Sequence, residues 1–159
     1  MTENTNPLNK YFRQPSIYVT LPSGASYPPQ VVQQSQSGEI GIQPMTAKDE
    51  IRFKTPDALM NGEGVVEVIQ SCVPQIKDAW QVKSYDLDTL LIAIRIATYG
   101  ETMDFTFTVP GANEQVTHSQ NLPALLDQIK GTTIESEITL EDGLKISIRP
   151  LTYKDMTTA

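Results

Sequence analysis

The chain has one cysteine, one histidine and one tryptophan in 159 residues. A lone Cys72 forbids an internal disulfide and is compatible with a reducing compartment. Thiolate and imidazole metal sites need about four such ligands, and only Cys72 and His118 are offered. No metal and no cofactor are therefore expected. Long apolar runs are also missing. The longest, around Leu90 to Ala97, is interrupted by Arg95 and falls short of the roughly 20 residues that span a bilayer. The N-terminal Met1-Thr-Glu-Asn-Thr-Asn-Pro7 lacks the basic and apolar regions of a signal peptide. The chain reads as non-secreted, with no membrane partner. Positive charge is scarce, with 12 Lys and Arg against 19 Asp and Glu, for a net charge of −7. Such a surface repels phosphate backbones, so a nucleic-acid partner is not expected.

Catalytic patterns are missing too. Gly62-Glu63-Gly64 is a helix junction and not a phosphate cradle followed by Lys-Ser/Thr. No strained turn marks a nucleophilic serine. His118 falls on a strand beside Ser119 and Gln120 and reads as a surface residue. The acidic pairs Asp49/Glu50, Asp86/Asp88 and Glu141/Asp142 fall at helix starts and a turn, where capping and solvation explain them. Glycosidase carboxylates carry no local signature, so a cell-wall hydrolase stays as a minor reading. An enzyme is not expected, nor is a small-molecule ligand. The work of the chain falls to protein–protein contact.

What is present is the grammar of one α+β domain, a helical core with short strands and antiparallel β-hairpins. Residues 1–14 read as a flexible arm and 15–159 as the domain. Tyr11 and Phe12 are adjacent aromatics in that polar arm; they either pack on their own domain or meet a partner. With Ile17 and Tyr18 on the strand that follows, they are the expected partner contacts. Ile17–Leu21 and Glu39–Gln43 are β-rich and pair as an N-terminal element. Thr46 with Asp49 predicts a capping box, and the helix after it would carry Ile51 and Phe53 inward. Thr55-Pro56-Asp57 opens a second helix, closed by Asn61-Gly62. Val65, Val68, Ile69 and Cys72 share one face of a third, ended by Pro74.

Asp86 opens the strongest helix, with Leu87, Leu90, Leu91 and Ile94 as a stripe widened by Ile92, Ala93, Ile96 and Ala97. Gly100 caps it. Arg95 either reaches solvent along its stem or pairs with a carboxylate of the short helices; the structural reading outweighs a catalytic one. Then strands take over. Met103, Phe105, Phe107 and Val109 alternate with Asp104, Thr106 and Thr108, and Glu114–His118 returns after a Pro110-Gly-Ala-Asn turn. Leu122–Lys130 is a helix with Leu125, Leu126 and Ile129 inward. In a last hairpin Ile138 faces Ile146 on a buried side, Leu140 faces Leu144 across Glu141-Asp142-Gly143, and Glu135 faces Arg149 outside. Thr152–Ala159 reads as the first turns of a helix left incomplete.

A set of segments in fixed order goes further: Leu21-Pro-Ser-Gly, Tyr27-Pro-Pro, Pro44-Met-Thr-Ala-Lys-Asp-Glu-Ile, Lys54-Thr-Pro-Asp-Ala-Leu-Met-Asn-Gly, Val68-Ile-Gln-Ser-Cys-Val-Pro, Asp88-Thr-Leu-Leu-Ile-Ala-Ile-Arg-Ile-Ala-Thr-Tyr-Gly and Arg149-Pro-Leu-Thr-Tyr-Lys-Asp. Together, over about residues 15 to 155, they resemble the baseplate hub subunit family of T-even-like contractile-tailed bacteriophages. The resemblance implies a structural component of the tail baseplate, in the virion and assembled in the host cytoplasm. Other phage tail and baseplate proteins would be its partners. An assembly chaperone that leaves the finished particle is the alternative. Two departures accompany it. Family members run longer, with a helical region after the point matching Ala159. Some relatives carry a Cys-Pro-x-Cys turn, suited to a zinc knuckle, where this chain has Val109-Pro110-Gly111-Ala112, so that role is not inherited.

Overall fold

The computed structural model describes residues 12–24, 26–33, 35–111, 114–130 and 136–158. Strands β1 (Ile17–Thr20) and β2 (Glu39–Ile42) pair antiparallel, with Ile17 opposite Ile42 and Thr20 opposite Glu39. Helices α1 (Ala47–Phe53), α2 (Pro56–Met60) and α3 (Glu63–Cys72) follow, then a 3-10 turn at Ala79–Gln81 and the long helix α4 (Ser84–Tyr99). Beyond it lie β3 (Thr102–Thr108), β4 (Gln115–Asn121), α5 (Leu122–Lys130), β5 (Glu137–Thr139), β6 (Lys145–Ser147) and α6 (Tyr153–Thr158). The three sheets have two antiparallel strands each. The class is α+β, as the alternation of helical and strand patterns implies.

One core joins the first sheet to the helices. Val19, Ile40 and Ile42 of the sheet meet Val68, Ile69 and Cys72 of α3 and Leu90, Ala93 and Ile94 of α4. Each fully buried aliphatic side chain contributes about 1.5–3 kcal/mol from removal of apolar surface. That is why α4 is helical although its Ile residues are middling helix formers: burial on several sides overrides propensity. Gly100 ends it with φ +96, its N–H donating to the Ile96 carbonyl.

Several inward and outward assignments need correction. Ile51 is 71% exposed, while Asp49 is buried and Phe53 packs against the core. Residues 49 and 53 lie one turn apart and share a face; Ile51, two positions from each, points away from it. The start of α4 is Ser84, two residues before Asp86. Asp86 is fully buried and is not a solvated helix-start acid. Its carboxylate accepts from the Ser23 N–H at 2.9 Å and the Tyr27 hydroxyl at 2.6 Å. Arg95 has no carboxylate partner among the described residues. Its guanidinium lies over the Tyr99 ring, 4.5 Å from the centroid. The two residues are one turn apart, and a cation is attracted to the ring face at that spacing.

The C-terminal helix closes on the body through an aromatic contact between residues far apart in the chain. Asp78 caps the 3-10 turn by accepting from the Trp80 N–H, and Trp80 stacks on Tyr153 with centroids 5.6 Å apart. Gly62 lies directly beneath: a Cβ there would meet Thr157 Cγ2 at 2.9 Å and the Tyr153 hydroxyl at 3.1 Å. Its φ of +79 independently favours glycine. Thr152 and Asp155 form a further reciprocal cap on α6.

Candidate interaction surfaces

The polar groups of the body are mostly engaged with one another. The Thr46–Asp49 capping box forms as the spacing predicts. Arg13 locks it from outside, with Nη1 3.0 Å from Asp49, Nε donating to Gln43 and Nη2 donating to the Ser71 carbonyl. Burial pushes the Asp49 carboxyl up, but hydrogen bonds from the Thr46 N–H, the Thr46 and Ser71 hydroxyls and Arg13 outweigh it and hold the group below the usual carboxylate range. A depressed carboxylate stabilises the fold fully above its unfolded pKa and loses that contribution as pH falls through the folded value. The gap in urea midpoint between wild type and Asp49→Asn should therefore be widest near neutrality and shrink below about pH 4.

Cys72 is buried, and burial pushes its thiol up to about 11. The nearby Arg13 pulls the other way without prevailing. A thiol of that kind is inert at neutral pH. A disulfide reagent such as Ellman's should label Cys72 only as fast as the protein opens, and at once in denaturant. His118 is exposed on β4, opposite Phe105. Among the described residues no group of three or more His, Cys, Asp or Glu is placed to hold a metal ion. A depression lined by Thr46, Lys48, Arg52 and Glu67 holds the Arg52–Glu67 pair, already joined through two hydrogen bonds. No helix of the described residues is long and apolar enough to cross a membrane.

The expected contact residues are not one patch. Tyr11 lies outside the described residues. Phe12 and Tyr18 are 61% and 62% exposed. Ile17 packs against the core, because successive residues of a strand point to opposite faces; Ile17 turns inward where Tyr18 turns out.

Larger apolar surfaces lie elsewhere. In the β3–β4 ribbon Met103 stands opposite Gln120, Phe105 opposite His118 and Phe107 opposite Val116. The return strand runs to Asn121, longer than its sequence suggested. Met103 packs against the core at the base, but Phe105 is 41% and Phe107 51% exposed. The β5–β6 ribbon has the expected register, with Ile138 opposite Ile146 and the Leu140 N–H donating to Leu144 across a turn with Gly143 at φ +82. Its side chains are not buried: Ile138, Leu140, Leu144, Ile146 and Ile148 are all exposed. Sequence alternation puts them on one face, and among the described residues no other element buries that face. Glu135, the expected partner of Arg149, lies outside the described residues; Arg149 pairs with Asp155 at 3.1 Å.

Fold and surface thus define an α+β protein whose helical body carries two β-ribbons with apolar side chains left exposed among the described residues. The family model described as "T4 bacteriophage base plate protein" matches residues 15–159. The chain belongs to that family and is a phage baseplate protein. No curated protein and no solved structure matches it.

Proposed function

We propose that this chain is a structural subunit of the hub region of a contractile-tail baseplate, built into the tail in the host cytoplasm and retained in the virion. Its partners are other tail and baseplate proteins. The observation that carries the reading is the pair of apolar ribbons standing clear of the core of a baseplate-family chain. Monomeric proteins seldom leave contiguous apolar faces of this kind in water unless a partner covers them. Residues 1–14 serve as a further contact arm, with Tyr11, Phe12 and Tyr18 as anchors and Ile17 fixing the strand that displays Tyr18. Arg13 fastens the root of that arm to α1 and α3.

Mass spectrometry of purified tails tests the reading. The chain should be present in stoichiometric amount with other baseplate proteins. Its absence from tails, together with co-purification with one tail protein from infected cells, would establish the transient chaperone instead.

A further inference from the structure

The two ribbons differ in charge, and that difference selects a partner. From Glu101 to Asn121 the chain carries Glu101, Asp104 and Glu114 and no Lys or Arg. All three acids are exposed. Glu101 stands at the base and Glu114 at the turn end of a stripe on one face of β3–β4 made of Phe105, Phe107 and Val116, with Val109 half-buried beside the turn; Asp104, between Met103 and Phe105, lies on the opposite face. The β5–β6 ribbon, by contrast, sets Lys145 among Glu137, Glu141 and Asp142, with Arg149 just beyond it, so its rim is mixed in sign.

We infer that the Phe105–Phe107 face of the β3–β4 ribbon is the docking site for another tail protein that presents an apolar patch rimmed by Lys and Arg. The inference rests on the baseplate reading and deepens it. Three physical arguments support the choice. A two-stranded ribbon is marginal in water unless something packs on its apolar face, and here no element of the described chain does so beyond Met103 at the base. Aromatic side chains, Phe among them, are enriched in the buried centre of protein interfaces. An all-acidic rim attracts a basic one and steers its approach. The same charge argues against the other occupants. A second copy would bring two acidic rims together on chains that each carry a net charge of −7. An anionic lipid surface would repel the rim as well.

The test uses the full chain and each tail protein of the same phage, expressed singly, in pairwise biolayer interferometry at about 50 and about 300 mM NaCl, which brackets physiological screening. One tail protein should bind, more tightly at low salt. The paired change Phe105→Ala/Phe107→Ala should weaken it by about tenfold or more. The paired change Glu101→Lys/Glu114→Lys should also weaken it and remove the salt dependence. Both variants should keep the wild-type urea midpoint, since these side chains project into solvent. Binding to no tail protein, or binding that neither variant alters, would overturn the inference. So would a dimer in analytical ultracentrifugation that the alanine pair dissolves, or binding to phosphatidylserine vesicles lost in that pair; these would assign the face to a second copy or to lipid. Tails that contain the chain and incorporate the alanine pair as wild type would sink the docking site and leave the baseplate role standing. Absence of the chain from tails would sink the role, while the pairwise binding still reports on the face.

Discussion

Leu90→Asp should leave no cooperative urea transition by far-ultraviolet circular dichroism. Leu90 is fully buried in the middle of α4, among side chains of the sheet, α3 and α4. A carboxylate placed there finds apolar neighbours and no cation. Burying an unpaired charge costs at least several kcal/mol, and the lost packing of a core leucine adds about 2–5 kcal/mol. The whole stability of a domain is only about 5–15 kcal/mol. The neighbouring Leu91→Asp is the control. Leu91 is half-buried, so its replacement can turn the charge to water, and a folded protein with a lower midpoint is expected. The α4 sequence places both leucines in one stripe; only the packing separates a lethal position from a tolerant one. A Leu90→Asp protein that still unfolds cooperatively would show that α4 is not the centre of the core.

The second large effect belongs to Asp86. Its two oxygens tie α4 to the loop between β1 and β2 through the Ser23 N–H and the Tyr27 hydroxyl. Tyr27 in turn accepts from the Lys83 N–H at 2.8 Å, and the Lys83 ammonium lies 5.0 Å from the centre of its ring. Burial first, and then the hydrogen bond to Asp86, push the ionisation of Tyr27 far above that of an ordinary tyrosine, so its phenol stays a donor. Hydrogen bonds to a charged acceptor contribute about 1.5–3 kcal/mol each. Asp86→Ala should therefore lower stability in urea by about 2–4 kcal/mol, because the buried Tyr27 hydroxyl and the part-buried Ser23 N–H lose their acceptor. Asp86→Asn keeps an accepting oxygen and should cost roughly half as much. A double-mutant cycle with Tyr27→Phe should show coupling above about 1 kcal/mol. Additive effects would mean that the short Tyr27–Asp86 contact does not hold the loop.

Much of the local structure was legible residue by residue. Thr46 and Asp49 are three apart and form the capping box that this spacing implies. Gly100 and Gly143 sit where a helix must end and a hairpin must turn, and both have positive φ. Of the face expected from Val65, Val68, Ile69 and Cys72, the last three are buried and Val65 is half-buried, while Val66 outside that stripe is buried as well. These features depend on residues within a few positions of one another, so local sequence contains the needed information. Asp86 was misread for the opposite reason. Its acceptors' partners, Ser23 and Tyr27, are some 60 residues away, and nothing beside it in sequence distinguishes a buried carboxylate from a solvated one. Trp80 on Tyr153 is the same case.

The contact surface was half legible. Alternation in residues 103–109 and 138–148 established which side chains share a face and, with the turn glycine at 143, the register of the last hairpin. It implied that the β5–β6 face was buried, since aliphatic alternation in a strand normally records a core. By itself the sequence determined the α+β class, the helix caps, the strand pairing of each hairpin and the acidic, thiol-poor chemistry. Only the tertiary structure decided which of the apolar faces are covered. Periodicity reports what points the same way along one segment; coverage depends on whether a distant segment arrives to pack there. For α4 the sheet, α3 and α5 do arrive, and for the two ribbons no described part of this chain does.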